Sequence, residues 1–256
     1  MGNFKSNRDF MKCSPNFREN MKSSDQSKSI EAPTYGKPIT GKVTVLPAFD
    51  DVLTTPNYFD LLDKRRSVRK YDKERPMTTK ELAFMLWSAA GIQFYRDKAQ
   101  TATLRTVPSG GARHAFELYI AVKNVEGLEP GIYNYLPTEN VGEKCVTIQY
   151  MCSFEGYETL ETDMVSGQSW ATNAAVTIFI SCIPYLSEWR YTSDSHRLML
   201  LDAGHMGQNI MLSAVALGLG TCCIGAYNQE LCDETLGIDG ENEFVVYIVP
   251  VGKEKA

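Results

Sequence analysis

Three short runs in this 256-residue chain carry side chains or backbone suited to holding a charged, planar ligand. The first is Arg65-Arg66-Ser67-Val68-Arg69. Three guanidiniums and a hydroxyl within five residues suit a phosphate, because Arg binds it through paired, charge-assisted hydrogen bonds that a single ammonium does not reproduce. A solvated basic turn has the same composition, so the run alone leaves both readings open. The second is Pro108-Ser109-Gly110-Gly111. Consecutive glycines let a backbone approach a flat ligand and expose its N–H groups, although most such stretches are simply turns. The third is Gly218-Leu219-Gly220-Thr221-Cys222-Cys223-Ile224-Gly225-Ala226, a glycine-punctuated exit from a long helical pattern. In that pattern Leu201, His205, Gln208, Leu212 and Val215 share one face at spacings of four and three. A His and a Gln on a buried apolar stripe must be hydrogen-bonded or cost roughly 1–3 kcal/mol each. They are therefore either a satisfied core pair or the border of a polar cofactor edge.

Several other chemistries are excluded by what is missing. Ser67-x-x-Lys70 matches the S-x-x-K of penicillin-binding enzymes, but the S-D-N and K-T-G partners are absent. Ser109 and His114 lie in no nucleophile elbow, which argues against a hydrolase. Neither G-x-G-x-x-G nor a P-loop occurs. The seven cysteines form no C-x-x-C pair, so zinc-ribbon and thioredoxin sites are not expected, nor any metal. A net charge of −5 gives no overall basic field for nucleic acid or anionic lipid. The first 29 residues are polar without the apolar core of a signal peptide, and no run approaches 18 apolar residues. The expectation is a cytoplasmic protein with reduced thiols and no membrane partner. The opening M-G-N-F-K-S fits the loose myristoylation pattern, which is short enough to arise by chance.

The elements that must position these runs follow from periodicity. Residues 1 to about 50 hold eight Lys/Arg against five Asp/Glu and few apolar residues outside Val43 to Leu46, which reads as an N-terminal extension. From Pro56 the pattern changes, and residues 51–256 read as one domain. Asn57 can cap a helix with Tyr58, Leu61 and Leu62 on one face, and this helix runs straight into the Arg cluster. Thr78-x-x-Glu81 is a capping box, followed by Leu82, Met85, Leu86 and Ala89 in helical period and by Gly91 as a stop. Runs rich in Val, Ile, Phe and Tyr predict strands over Phe116–Val122, Gly131–Tyr135, Ala175–Ser181 and Phe244–Val249. Between the last two, about His196 to Leu219 is helical and apolar nearly all round, which implies a helix central to the fold or to an oligomer interface. Strands mixed with helices without regular βαβ alternation favour an α+β fold.

Taken in order, the pieces resemble the FMN-dependent nitroreductase family, and more narrowly its SagB-like branch, the dehydrogenases of thiazole/oxazole-forming peptide maturation. The matching stretches are R-R-S-V-R-K-Y, L-x-x-M-L-W-S-A-A-G-I, R-T-V-P-S-G-G-A-R, E-L-Y-I-A-V-K-N-V-E-G-L-E-P-G-I-Y-N-Y, W-R-Y, D-A-G-H-M-G-Q-N-I-M-L-S-A-V-A-L-G-L-G-T-C-C-I-G-A-Y and V-P-V-G-K, collinear over about 56–253. The resemblance implies a mostly antiparallel central sheet surrounded by helices, in an intertwined homodimer with two FMN sites at the interface. Carried over by position, Arg65, Ser67 and Arg69, with Arg66 adjacent, would hold the phosphate and ribityl chain. Pro108, Ser109, Gly110 and Gly111 would reach the flavin ring from the other subunit. Ile224, Gly225 and Ala226 would lie along the ring with a backbone N–H toward N5. Gln208 would border the site, and Lys253 or Lys255 would supply a second phosphate cation. Ala112 stands where common nitroreductases have Asn. The chain also lacks the leader-binding domain of the large azoline dehydrogenases, apart from its N-terminal extension. No side chain is singled out as catalytic, since in such enzymes the cofactor carries the chemistry. Tyr95, Tyr185, Trp189 and Tyr191 could wall the substrate side or pack the core. The implied activity is hydride transfer between flavin and a nitro, quinone or enone compound with NAD(P)H as donor. The alternatives are azoline dehydrogenation in a peptide and flavin binding without turnover.

Overall fold

The computed structural model describes residues 5–54, 57–98, 100–154 and 156–255. Residues 1–4, which carry most of the myristoylation-like pattern, and Pro56 lie outside them. In chain order the elements are α1 (Lys5–Phe10), α2 (Phe17–Met21), β1 (Val43–Leu46), α3 (Tyr58–Lys64), α4 (Thr79–Ala90), β2 (Ile92–Tyr95) and β3 (Thr103–Arg105). Then come β4 (Phe116–Val122), β5 (Gly131–Tyr135), β6 (Val146–Cys152), α5 (Tyr157–Met164), β7 (Val176–Cys182) and α6 (Tyr185–Tyr191). The chain closes with α7 (Ser195–Leu217), β8 (Leu219–Thr221), α8 (Gln229–Leu236) and β9 (Phe244–Lys253).

Local chemistry accounts for the boundaries. The Asn57 side chain accepts the Phe59 N–H and starts α3. Thr78 accepts the Glu81 N–H while the Glu81 carboxylate takes the Thr78 N–H, so the capping box of α4 is complete. Helix α7 stops at Leu217, two residues before the sequence pattern suggested, because Gly218 turns left-handed at φ 68° and frees Leu219 to begin β8.

Seven strands form one sheet in the order β1-β6-β5-β4-β7-β9-β8. Every one of its pairings is antiparallel. The central strands β4 and β7 are buried along their whole length, so their sequences read as nearly continuous apolar runs. One face of β4 (Phe116, Leu118, Ile120, Val122) packs with Leu82, Met85 and Leu86 of α4 and Met206, Ile210 and Ala214 of α7. The other face, Tyr119 and Ala121, packs with Met164 of α5 and Cys232 and Leu236 of α8. The result is the expected α+β sandwich. Among the described residues no helix is long and apolar enough to cross a membrane.

The extension drawn over 1–50 is continuous with the body, because Val43–Leu46 is the edge strand β1, paired with β6. Upstream of it the Lys37 ammonium reaches Tyr119 and Glu243 on the sheet's second face. Four residues of β1 gain stability only through β6, so local composition did not reveal them as part of the domain.

Candidate active site

The Arg cluster leaves α3 in extended form, with Arg65 at ψ 119°. In extended backbone alternate side chains share a face. Val68 turns inward, where its Cβ and Cγ1 occupy the space a side chain at Gly220 would need, the closest approach being 2.6 Å. Its N–H donates to the Thr221 carbonyl at 2.9 Å. Around Val68, Arg65 is half-buried, and Ser67 and Arg69 are exposed. Further on, Asp72 N–H donates to Lys253 O and Lys255 N–H to Lys70 O, so the segment is laid along the end of β9. Gly252 makes room there, since a Cβ would meet the Ala175 nitrogen at 2.9 Å. Gly220 thus admits Val68 of the run against β8, while Gly252 admits the backbone that leads into β7.

Within the run the arginines differ. Arg69 lies over the Trp170 ring at 5.7 Å, which holds a guanidinium without neutralising it. Arg66 folds back and donates to the carbonyls of Asp63 and Arg65 at 2.7 and 2.8 Å, capping the end of α3. A groove of about 560 Å³ lies beside the cluster, lined by Arg69, Lys70, Lys73, Asn173 and Lys255 among others. The Lys253 ammonium pairs with Glu81 at 2.5 Å, in the capping box of α4, and is largely buried. Of the two C-terminal lysines, Lys255 is the one that lines the groove.

Beyond Thr221, Ile224 is buried and exchanges both backbone hydrogen bonds with Ile248, so its N–H is already used. Gly225 and Ala226 are exposed, and among the described residues neither N–H has an acceptor within reach. Cys223 lies against Gly207 of α7 and Tyr247 of β9. Burial pushes its thiol up to about 11, so it stays protonated at neutral pH.

Pro108 to Gly111 is attached elsewhere, near the start of α7. Asp202 accepts the Gly110 N–H at 3.1 Å and is itself held above the usual carboxylate range by burial. Ser109 Oγ accepts the backbone N–H of His114. Gly111 is left-handed at φ 62°, and a Cβ on it would lie 2.3 Å from the Tyr191 hydroxyl. Ala112 (φ 55°) and His114 (φ 41°) are left-handed without being glycine, a strain of about 1–3 kcal/mol each that surrounding contacts must hold. The His114 ring donates to Thr103 O at 3.0 Å, and burial drives its pKa down to about 3. It is a neutral core group, and no Ser–His couple exists.

The stripe of α7 is not its buried face, so His205 and Gln208 are not a satisfied core pair. Leu201, His205 and Gln208 are exposed, and the buried face is Met199, Ala203, Met206, Ile210 and Ala214. Apolar residues on both sides of α7 hid which face was turned inward. Sequence reading also missed Asp202, Trp170 and Tyr35, each ordinary in its local pattern and joined to the site only by long-range contacts. Trp189 and Tyr191 pack beside the Pro108–Gly111 loop, whereas the Tyr185 hydroxyl donates to Asp25.

This arrangement sets a cationic face and a glycine-rich exit together on one edge of an antiparallel sandwich. Residues 62–253 match the pattern of the Nitroreductase family. The chain belongs to that family. It is 31% identical over 195 residues to MJ1384 of Methanocaldococcus jannaschii, which carries the name of a nitroreductase, covering 76% of this chain and 90% of that one. It is 29% identical over 137 residues to the trifolitoxin-processing protein TfxB of Rhizobium leguminosarum bv. trifolii, covering 53% of this chain and 36% of that protein. Among solved structures, one from Anabaena variabilis, also named as a nitroreductase, superposes with a TM-score of 0.62 at 30% identity, covering 76% of this chain and 37% of that one. The protein is an oxidoreductase of this family.

Proposed function

We propose that the protein is an FMN-dependent oxidoreductase that accepts hydride from NAD(P)H and passes it to a small nitro, quinone or enone electrophile. The observation that carries this reading is the groove that Arg69, Lys70, Lys73 and Lys255 line at the end of the Arg65–Arg69 run, a cationic donor set suited to a phosphate. Gly225 and Ala226, exposed and with N–H groups free to donate, would hold the edge of the ring. Bound FMN would supply the hydride chemistry, and the chain's own residues bind, orient and shield it.

The working unit in this reading is a homodimer. Tyr58 (65% exposed) and Phe59 (74%) of α3 and Leu200 (53%) and Leu201 (51%) of α7 leave large apolar side chains exposed on two helices that touch. The cationic face is fastened near β8, while Pro108 to Gly111 is fastened to Asp202 on α7. A second subunit covering this surface could bring its own glycine loop to the first subunit's cationic face. A second reading, oxidation of azoline rings in a modified peptide, is favoured by the similarity to the trifolitoxin-processing protein.

Purified protein reconstituted with excess FMN, then desalted, denatured and analysed, should release FMN at close to one per chain and consume NAD(P)H with a quinone or nitroarene. Release of FAD or of no flavin overturns the cofactor assignment. Bound FMN that only a modified peptide oxidises or reduces favours the second reading.

A further inference from the structure

We propose that Tyr35, in the segment before β1, is a positioning residue for the Pro108–Gly111 loop, so that the N-terminal strap is a working part of the cofactor site. The inference rests on the reading above, in which that loop faces the flavin.

The loop needs an external hold. Left-handed backbone at Ala112 and His114 persists only where neighbours over-determine it. Ser109 and Asp202 restrain its first half. The second half is held from the strap: the Tyr35 hydroxyl lies 3.1 Å from the carbonyl oxygens of both Ala112 and Thr101, its one proton shared between them. Burial raises the phenol pKa, so the hydroxyl remains a donor. The Tyr35 ring stacks between Arg105 (5.8 Å) and Arg113 (5.3 Å), which fixes where the hydroxyl points.

Arg113 completes the clamp. This guanidinium, 2% exposed, donates to Leu186 O at 2.6 Å and to Thr101 O at 2.9 Å, and it covers the Trp189 ring at 4.8 Å. Trp189 in turn donates to Ile30 O in the strap, and its carbonyl accepts the Gln26 N–H. The Tyr185 hydroxyl fastens the same strap to α6 through Asp25 but is bonded to nothing in the loop. Strap, α6 and loop therefore close a ring of contacts in which Tyr35 joins the strap to the loop and Arg113 joins the loop to α6.

Full-length Tyr35→Phe keeps the ring between the two arginines and deletes only the shared donor. Tyr185→Phe deletes one strap hydrogen bond away from the loop. FMN titration of both, with circular dichroism of the bound flavin at saturation, separates positioning from general support. Tyr35→Phe should weaken FMN binding about five- to twentyfold, as expected when the Ala112 carbonyl loses its donor while Thr101 keeps Arg113, and alter the flavin dichroism. Tyr185→Phe should change neither. Equal effects from both variants, or none from Tyr35→Phe, overturn the proposal while leaving the flavin reading intact. Failure of the wild type to bind FMN overturns that reading first. Hydrogen exchange of the unmutated, flavin-free protein decides the matter if Tyr35→Phe does not fold. Amides 110–114 should already exchange slowly, and rapid exchange that slows only on adding FMN means the ligand, not the strap, orders the loop.

Discussion

The arginines of one five-residue run do different work, and the difference is physical. Arg69 lies over Trp170 at the groove and Arg65 is half-buried, while Arg66 is occupied with the carbonyls that end α3. The same division separates the two C-terminal lysines, Lys255 at the groove and Lys253 on Glu81. Arg65→Ala, Arg69→Ala and Lys255→Ala should each weaken FMN binding, the arginines by about ten- to a hundredfold, since a charge-assisted hydrogen bond contributes roughly 1.5–3 kcal/mol. Arg66→Ala and Lys253→Ala should leave the dissociation constant within about twofold, and Lys253→Ala should lower the melting temperature by unpairing a largely buried Glu81. Flavin titration and thermal melts of the five variants check this, and a uniform loss across all of them would mean a diffuse field rather than a built site. In the proposed reading the cluster is legible as a type of chemistry because guanidiniums suit phosphate. Which members face it is not, since that depends on Gly220 admitting Val68 and on Glu81 competing for Lys253.

Elements were legible in proportion to how locally they are determined. The capping box of α4 and the cap of α3 are complete within four residues, and β4 and β5 end where their apolar runs end. Strand β6 carried a period-two signal in Val146, Ile148 and Tyr150 that could have been found. Strands β1 and β8, four and three residues long, owe their state to their neighbours. The second face of the sheet shows what such long-range assembly does to a side chain. Glu117 of β4 is buried among Arg105, Lys37, Glu243 and Asn134, and its Oε2 has no partner among the described residues. Burial outweighs the nearby cations and lifts its pKa to about 7. Because the folded value lies above the unfolded one, this carboxyl's contribution is complete below about pH 4.5 and is lost as pH rises through about 7. An amide in its place stays neutral throughout, so Glu117→Gln should gain on the wild type by up to about 3 kcal/mol between pH 5 and pH 8. Urea melts across that range test it, and parallel pH profiles for the two proteins would show that Glu117 is ionised in the folded state.

At the scale of the whole molecule, the single chain is a finished core with an unfinished surface. Both faces of the sheet are covered by helices, yet α3 buries none of its residues and α7 shows Leu200 and Leu201 to solvent. Apolar residues on an outward face cost nothing to folding but are costly to leave wet, about 25 cal/mol per Å² of apolar area. A closed two-fold dimer would cover the same surface on both copies at once. In the two-chain reading, one subunit gives the cationic face and the other the glycine loop to each flavin, and mixed dimers make that division visible. One tagged chain carries Arg65→Ala, which should weaken FMN binding about ten- to a hundredfold as a homodimer, and a second, differently tagged, carries Ser109→Trp, which should block it, both read at an FMN concentration that fills only the unaltered site. In the doubly tagged heterodimer both lesions fall in one site, and the other combines an intact Arg65 with an intact loop. It should bind about one FMN, half the wild-type content, with the affinity of the unaltered protein. A heterodimer that stays empty while both chains are folded, or a wild-type protein that sediments as a monomer with flavin bound, would mean that one chain holds the cofactor alone. The exposed faces of α3 and α7 would then need a different partner.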